Sequence, residues 1–276
     1  MTLAPEQVDE WTVDTLDLDA YLGRIGRISQ ERAKPSAAAL RELAKAHILA
    51  IPFENVDVVL EQHKGIALDD VIGKLVRRHR GGYCYEHGSL FSAAAERLGY
   101  PVRRLVARVQ PQRNGPYTHM TLVVEADGVQ HLVDIGFGAG MLVPMPLVDG
   151  AVVDQAGWPH RLVADGGWWR LQKLEGAGWT DLHAFTLTPM HRIDYEVYHH
   201  YTSTHPRSPF TGRLVIMRLE EGLSRKLIGD EFIVERPDGT KETTTIAPER
   251  LDATLRELDV VLTEEELAKL LTIYPG

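Results

Sequence analysis

The sequence predicts an α+β protein of three modules, with helices first, a run of strands next and a smaller mixed region last. Three observations carry this. Apolar residues recur at helical spacing through roughly the first hundred positions. At Val102 the pattern changes to β-branched residues interleaved with arginine, and Asp127-Gly128 then gives the strongest hairpin signal in the chain. Beyond about residue 210, strand and helix signals share one short stretch.

Leu16, Leu18, Tyr21, Leu22 and Ile25 form the apolar face of a first helix. Ser36 caps a second over residues 37–49, ahead of Pro52. Asp69 and Asp70 open a third, whose face is Val71, Ile72, Leu75 and Val76. A fourth starts at or just after Cys84 and runs to Leu98, where Gly99 and Pro101 stop it. Residues 102–109 read as a strand, and 119–125 and 129–135 flank the Asp127-Gly128 turn. Further strands over 161–163, 168–174 and 179–185 make the middle a meander or barrel. A helix over 191–201 interrupts it. Strands return at 214–219 and 231–234, and Pro237-Asp238-Gly239 is a turn. Two helices close the chain, over 248–258 and after Thr263, where Thr263-Glu264-Glu265-Glu266 matches a capping box.

At 276 residues the chain is long for one simple domain, and 44% hydrophobic residues suffice for a core without staples. One cysteine points to a reducing compartment. No apolar run approaches the roughly 20 residues that cross a bilayer, and Met1-Thr2-Leu3-Ala4-Pro5-Glu6 does not open a signal peptide. A cytoplasmic protein with no membrane partner is expected. A net charge of −9 argues against nucleic acid. Arg77, Arg78 and Arg80, and then Arg103, Arg104 and Arg108, read as a solvated helix end and an exposed strand face.

Cys84 lies in Arg80-Gly81-Gly82-Tyr83-Cys84-Tyr85-Glu86. A lone thiol makes neither an internal disulfide nor a multi-thiolate metal site. Two readings stand on this local sequence, a small buried apolar residue or a reactive thiol. A helix N-terminus and a nearby imidazolium both favour the thiolate, and the free N–H groups of a helix start suit an oxyanion. His119 begins the strongest strand; the plain alternative is a surface histidine. Asp134, inside Leu132-Val133-Asp134-Ile135, is costly to bury without a partner. A turn at 127–128 makes His119 and Asp134 cross-strand neighbours, offset by about two positions. Cys84, His119 and Asp134 then supply nucleophile, base and orienter.

Other signals are weaker. Gly136-Phe137-Gly138-Ala139-Gly140 lacks the spacing of a dinucleotide loop, and the prolines at 144 and 146 preclude a long helix after it. His199, His200 and His205 read as surface histidines without carboxylates at ligand spacing, so no metal is expected. Gly88-Ser89 is not a nucleophile elbow.

Taken together, these residues resemble the arylamine N-acetyltransferase family. Its Arg-Gly-Gly-x-Cys-x-Glu-x-Asn pattern matches residues 80–88, except that Gly88 replaces the Asn. Its Thr-His-x-x-Leu context matches Thr118-His119-Met120-Thr121-Leu122, and Val-Asp-x-Gly-Phe-Gly matches Val133 to Gly138. Pro52-Phe53-Glu54-Asn55 and Ser203-Thr204-His205-Pro206 with Phe210 complete five matches in family order. The resemblance implies a helical bundle over 1–100 carrying the nucleophile, a β-barrel over 101–210 carrying His119 and Asp134, and an α/β lid over 211–276, with the triad at the bundle/barrel junction. It implies ping-pong transfer of acetyl from acetyl-CoA, through Cys84, to an arylamine or arylhydrazine, as in xenobiotic metabolism. By match to the family, Phe137, Phe53 and Tyr83 would wall the acceptor site, and Thr118, Gly136, Gly138 and Phe210 would meet CoA. Arg80 and Glu54 are expected to pair and hold the loop before Cys84. Cys-His-Asp in this chain order also suits a cysteine hydrolase, a transglutaminase-like acyl transferase, or a macrolactam-forming amide synthase of the same fold. A small-molecule binding protein with a dead site is the non-enzymatic alternative.

Overall fold

The computed structural model describes residues 10–27, 34–138 and 140–274; the N-terminal residues read above against a signal peptide lie outside them. Caps start the first helices as local chemistry requires. Asp17 accepts from Ala20 N at 3.0 Å to begin α1 (Leu18–Arg24), and Ser36 accepts from Ala39 N at 3.2 Å to begin α2 (Ala37–Ala50). Strand β1 (Phe53–Glu54) and the short α3 (Val56–Val59) follow. The expected third helix is α4 (Leu68–Val71), which widens into π-helical turns over Ile72–Arg77, with Arg78 N bonded to Gly73 O at 3.1 Å. In α5 (Cys84–Arg97) every residue from Cys84 to Ala95 is buried, so this helix runs through the core.

Eight antiparallel strands form the middle section: β2 (Val102–Val109), β3 (His119–Ala126), β4 (Val129–Val133), β5 (Met145–Pro146), β6 (Val152–Gln155), β7 (Trp158–Asp165), β8 (Trp168–Glu175) and β9 (Gly178–Phe185). Their order is β5-β4-β3-β2-β9-β8-β7-β6, a nearly closed barrel filled by residues such as Leu105, Leu132, Leu162, Leu171 and Phe185. Gln155, at the end of β6, holds the segment that leads into β5. Its Oε1 accepts from Leu142 N and Val143 N, both at 2.8 Å, and its Nε2 donates to Val143 O at 3.0 Å. The hairpin signal is realised: Ala126 pairs with Val129 across Asp127-Gly128.

After α6 (Arg192–Thr204), a second antiparallel sheet takes the order β1-β10-β11-β12-β13, with β10 (Val215–Glu220), β11 (Leu223–Ile228), β12 (Glu231–Glu235) and β13 (Lys241–Thr245). Helices α7 (Leu251–Glu257) and α8 (Glu264–Leu271) pack their leucines against it. Strand β1 ties this sheet to the start of the chain: Phe53 pairs with Met217 and also bridges to Gly82. Asn55 completes the tie, donating to Phe210 O at 2.8 Å and Arg213 O at 2.9 Å while accepting from Val215 N at 2.7 Å. Residues immediately before Cys84 are thus held from the far end of the sequence. Among the described residues, no helix is long and apolar enough to cross a membrane.

The two arginine clusters correct an expectation. Arg77 and Arg78 are exposed, but Arg80 and Arg104 are buried. Carboxylates compensate each of the buried pair: Glu54 and Glu266 for Arg80, and a two-pronged Glu96 at 2.7 and 2.8 Å for Arg104.

Candidate active site

Cys84 is the first residue of α5, so the backbone N–H groups of that first turn have no partner within the helix. Glu86 secures the turn by accepting from Tyr83 N at 3.0 Å. The carboxylate of Glu86 is buried and belongs to an ionic cluster beneath the loop. Lys74 Nζ lies 3.0 Å from it and 3.3 Å from Asp57, while Arg80 reaches Glu54 at 2.8 Å and Glu266 at 3.2 Å. Burial alone would raise the Glu86 pKa; Lys74 and His63 more than offset it and hold the carboxyl well below its usual range. The expected Arg80–Glu54 pair is present.

Cys84 Sγ lies 3.6 Å from Thr118 O, next to the residue that opens β3, His119. His119 is buried, and its Nε2 lies 2.7 Å from Asp134 Oδ1, which leaves Nδ1 for the thiol. Burial opposes a charged imidazole here. The Asp134 carboxylate and the Cys84 sulfur outweigh it and raise the His119 pKa to about 10. Asp134, one residue past β4, is buried as well, and its imidazole partners keep it ionised. Offset pairing across the Asp127-Gly128 hairpin, as predicted, is what brings His119 and Asp134 together.

Asp134 has a second partner that the sequence reading missed. His183 Nε2, on β9, lies 2.6 Å from Asp134 Oδ2. A histidine set between Leu182 and the apolar pair Ala184-Phe185 is the only sign of it in the sequence. Polar atoms of His119, Asp134 and His183 all lie within 4.8 Å of one another. Both carboxylate oxygens already accept from imidazoles at ordinary hydrogen-bond lengths, so the trio reads as a carboxylate between two donors and not as a set of metal ligands.

A cavity of about 340 Å³ opens over Cys84 and His119. Phe53, Phe137, Phe210, Val109, Leu182 and Met217 make it apolar, and Lys173, Glu175 and Lys226 supply its charged part. Thr118, Gly136 and Gly140 also line it. Gly136 is needed for contact, since a Cβ there would meet Cys84 Cα at 2.8 Å. Two expected residues lie outside the lining. Tyr83 is fully buried, turned by its N-cap position toward Tyr85 and His63, with its hydroxyl bonded to His199 Nδ1. Gly138 stands behind the wall, where a Cβ would strike Met217 Sδ at 2.6 Å. His199, expected at the surface, is half-buried through that bond to Tyr83, whereas His200 is exposed. A larger cavity of about 590 Å³, lined by Lys74, Asp57, Glu86 and other charged groups, lies behind the ionic cluster and contains neither Cys84 nor His119.

Comparison with known proteins places this geometry in context. A family model described as N-acetyltransferase matches residues 36–266. The arylamine N-acetyltransferase of Mycolicibacterium smegmatis is 36% identical over 260 residues, 90% of each chain. The structure of the arylamine N-acetyltransferase from Mycobacterium abscessus superposes with a TM-score of 0.91 at 35% identity, covering 98% of this chain and 99% of that one. That of the Mycobacterium marinum enzyme in complex with CoA superposes with a TM-score of 0.85 at 32% identity, covering 93% and 99%.

Proposed function

The chain belongs to the arylamine N-acetyltransferase family, and from that premise we propose that it moves acetyl from acetyl-CoA to arylamines and arylhydrazines by a ping-pong reaction through acetyl-Cys84. One observation carries the mechanism: the only thiol of the chain begins a buried helix beside an imidazole that a buried carboxylate anchors.

In the first half-reaction, the Cys84 thiolate, paired with the His119 imidazolium, attacks the thioester carbonyl. Backbone N–H groups at the start of α5, including that of Cys84, face the developing oxyanion. The bond to the CoA sulfur breaks, and CoA leaves with the imidazolium proton. In the second, the amine attacks acetyl-Cys84, His119 takes the proton released by nitrogen, and the thiolate departs. Asp134 holds the imidazole orientation and balances its charge throughout. Phe53 and Phe137 flank the cavity as flat walls for an aromatic acceptor. Thr118, Gly136 and Phe210 line the same space and are assigned to the CoA arm; Gly138 lies outside that lining. The proposal extends to a cytoplasmic location and to the division 1–100, 101–210 and 211–276, with β1 of the first part serving the sheet of the third.

Acetyl-CoA without acceptor should add one acetyl group, located on Cys84 by mass spectrometry, and adding an arylamine should remove it as the N-acetyl product. Transfer that survives Cys84→Ala would overturn the mechanism.

A further inference from the structure

We propose that His183 is a positioning residue of this site: a neutral imidazole whose Nε2–H donates to Asp134, keeping that carboxylate ionised and turned toward His119. The inference rests on the acyl-transfer reading of Cys84 and His119.

Three features of the structure lead to it. First, the two oxygens of Asp134 are divided between the two histidines, Oδ1 to His119 at 2.7 Å and Oδ2 to His183 at 2.6 Å. Second, His183 is buried and its Nδ1 has no partner among the described residues. A charged imidazole would need an acceptor for a second N–H; the described residues offer none, and a second cation would stand beside His119. The form that fits is the neutral one with its single proton on Nε2, and burial lowers the His183 pKa accordingly. Third, β9 carries a bulge at this point. Leu171 opposes His183 while Gln172 opposes Asp181, which leaves Leu182 as the extra residue. The extra residue, Leu182, lines the cavity, while His183 stays in register with Val109 and Leu171 and meets Asp134.

The titratable groups around His183 are Asp134 and His119, with His160 of β7 farther along the barrel interior. Phe137 and Phe185 pack on its ring at centroid distances of 5.3 and 5.7 Å and keep water away. A donor to the charged form of a carboxylate favours that form. Without it, the proton shared by Asp134 and His119 moves toward Asp134, the imidazole loses its charge, and the Cys84 thiolate loses its counter-ion.

Because Cys84 is the only cysteine, the rate of its alkylation by iodoacetamide reports the thiolate with no acyl donor or acceptor present. In His183→Leu, the pH at which alkylation switches on should rise by about one unit, the effect of losing one hydrogen bond to a charged group, and acetyl transfer should fall about ten- to hundredfold. His183→Gln, which keeps an N–H donor, should hold the wild-type profile. A Leu variant that melts cooperatively with an unshifted profile, or a Gln variant shifted as far as Leu, overturns the proposal. Should the Leu variant not fold, nitrogen NMR of the wild-type imidazoles decides: His183 must stay neutral and protonated on Nε2 from pH 5 to 9, and titration within that range overturns it. The alkylation profile holds its meaning even if acetyl transfer itself is not found, so the two readings fail separately.

Discussion

Gly88 departs from the motif around Cys84 at a place where packing leaves no room for a side chain. A Cβ at this position would lie 2.6 Å from Met120 Sδ, so the methionine next to His119 fills the space that a larger side chain would take. Helix propensity alone favours alanine over an interior glycine by about 1 kcal/mol. Packing predicts the opposite sign here: Gly88→Ala should destabilise the protein by about 1 kcal/mol in urea titrations, and the same change in a Met120→Ala background should stabilise it. Gly136 is less forgiving, because its neighbour is backbone at Cys84. Gly136→Ala should leave the far-ultraviolet spectrum intact and slow Cys84 acetylation at least tenfold in stopped-flow mixing, about 1.4 kcal/mol of barrier. At this scale Cys84, His119 and Asp134 were legible because each is chemically conspicuous: a lone thiol, a histidine opening a strand, an acid inside an apolar run. His183 was not, because it lies 49 residues from its partner in sequence and no local pattern links the two.

Among the elements, α5 begins over an ionic cluster that four separate elements supply. Arg80 and Lys74 are buried cations, and their carboxylates come from β1, α3, α5 and α8. Glu54 accepts two hydrogen bonds from Arg80 and one from Val56 N, all buried, and removing it leaves those donors unsatisfied at a cost of about 3–5 kcal/mol. Glu54→Ala should therefore lower the melting temperature by roughly 10 °C, and Cys84 should become more accessible to bulky maleimides below the transition. An unchanged melting temperature would refute this view of the cluster. The helices with good caps and the hairpin with Asp127-Gly128 were readable, since their signals are local. Strand β1 was not: it has two residues, follows a proline and finds its partner at Met217. Strand β13 is exposed along its whole length, so it carries no apolar alternation to read.

For the molecule as a whole, buried imidazoles set the response to pH. Burial lowers the pKa of His87, His160 and His199 to about 4 and pushes that of His47 well down. Tyr21, His47 and His87 form one hydrogen-bonded line ending on Pro52 O, which two neutral histidines satisfy with one donor at each step. These groups bind protons more weakly in the folded chain than in the unfolded one, so stability should fall as pH drops from about 6.5 toward 4. His119 acts in the other direction. Its contribution is complete below about 6.5 and is lost as pH rises through its folded value of about 10. Denaturant midpoints should peak near pH 7 and decline on both sides; a midpoint at pH 4.5 equal to that at pH 7 would refute the assignment. The three-part order of helices, strands and mixed region was visible in composition, whereas the segment held by Gln155 and the sheet shared between the two ends of the chain arise from contacts that no local pattern records. That sharing has a consequence for synthesis. Arg80 takes one of its carboxylates from Glu266, so the support of the loop before Cys84 stays incomplete on the ribosome until α8 has cleared the exit tunnel. The nascent chain would have its thiol long before it has the carboxylate that completes the support of the loop beside that thiol.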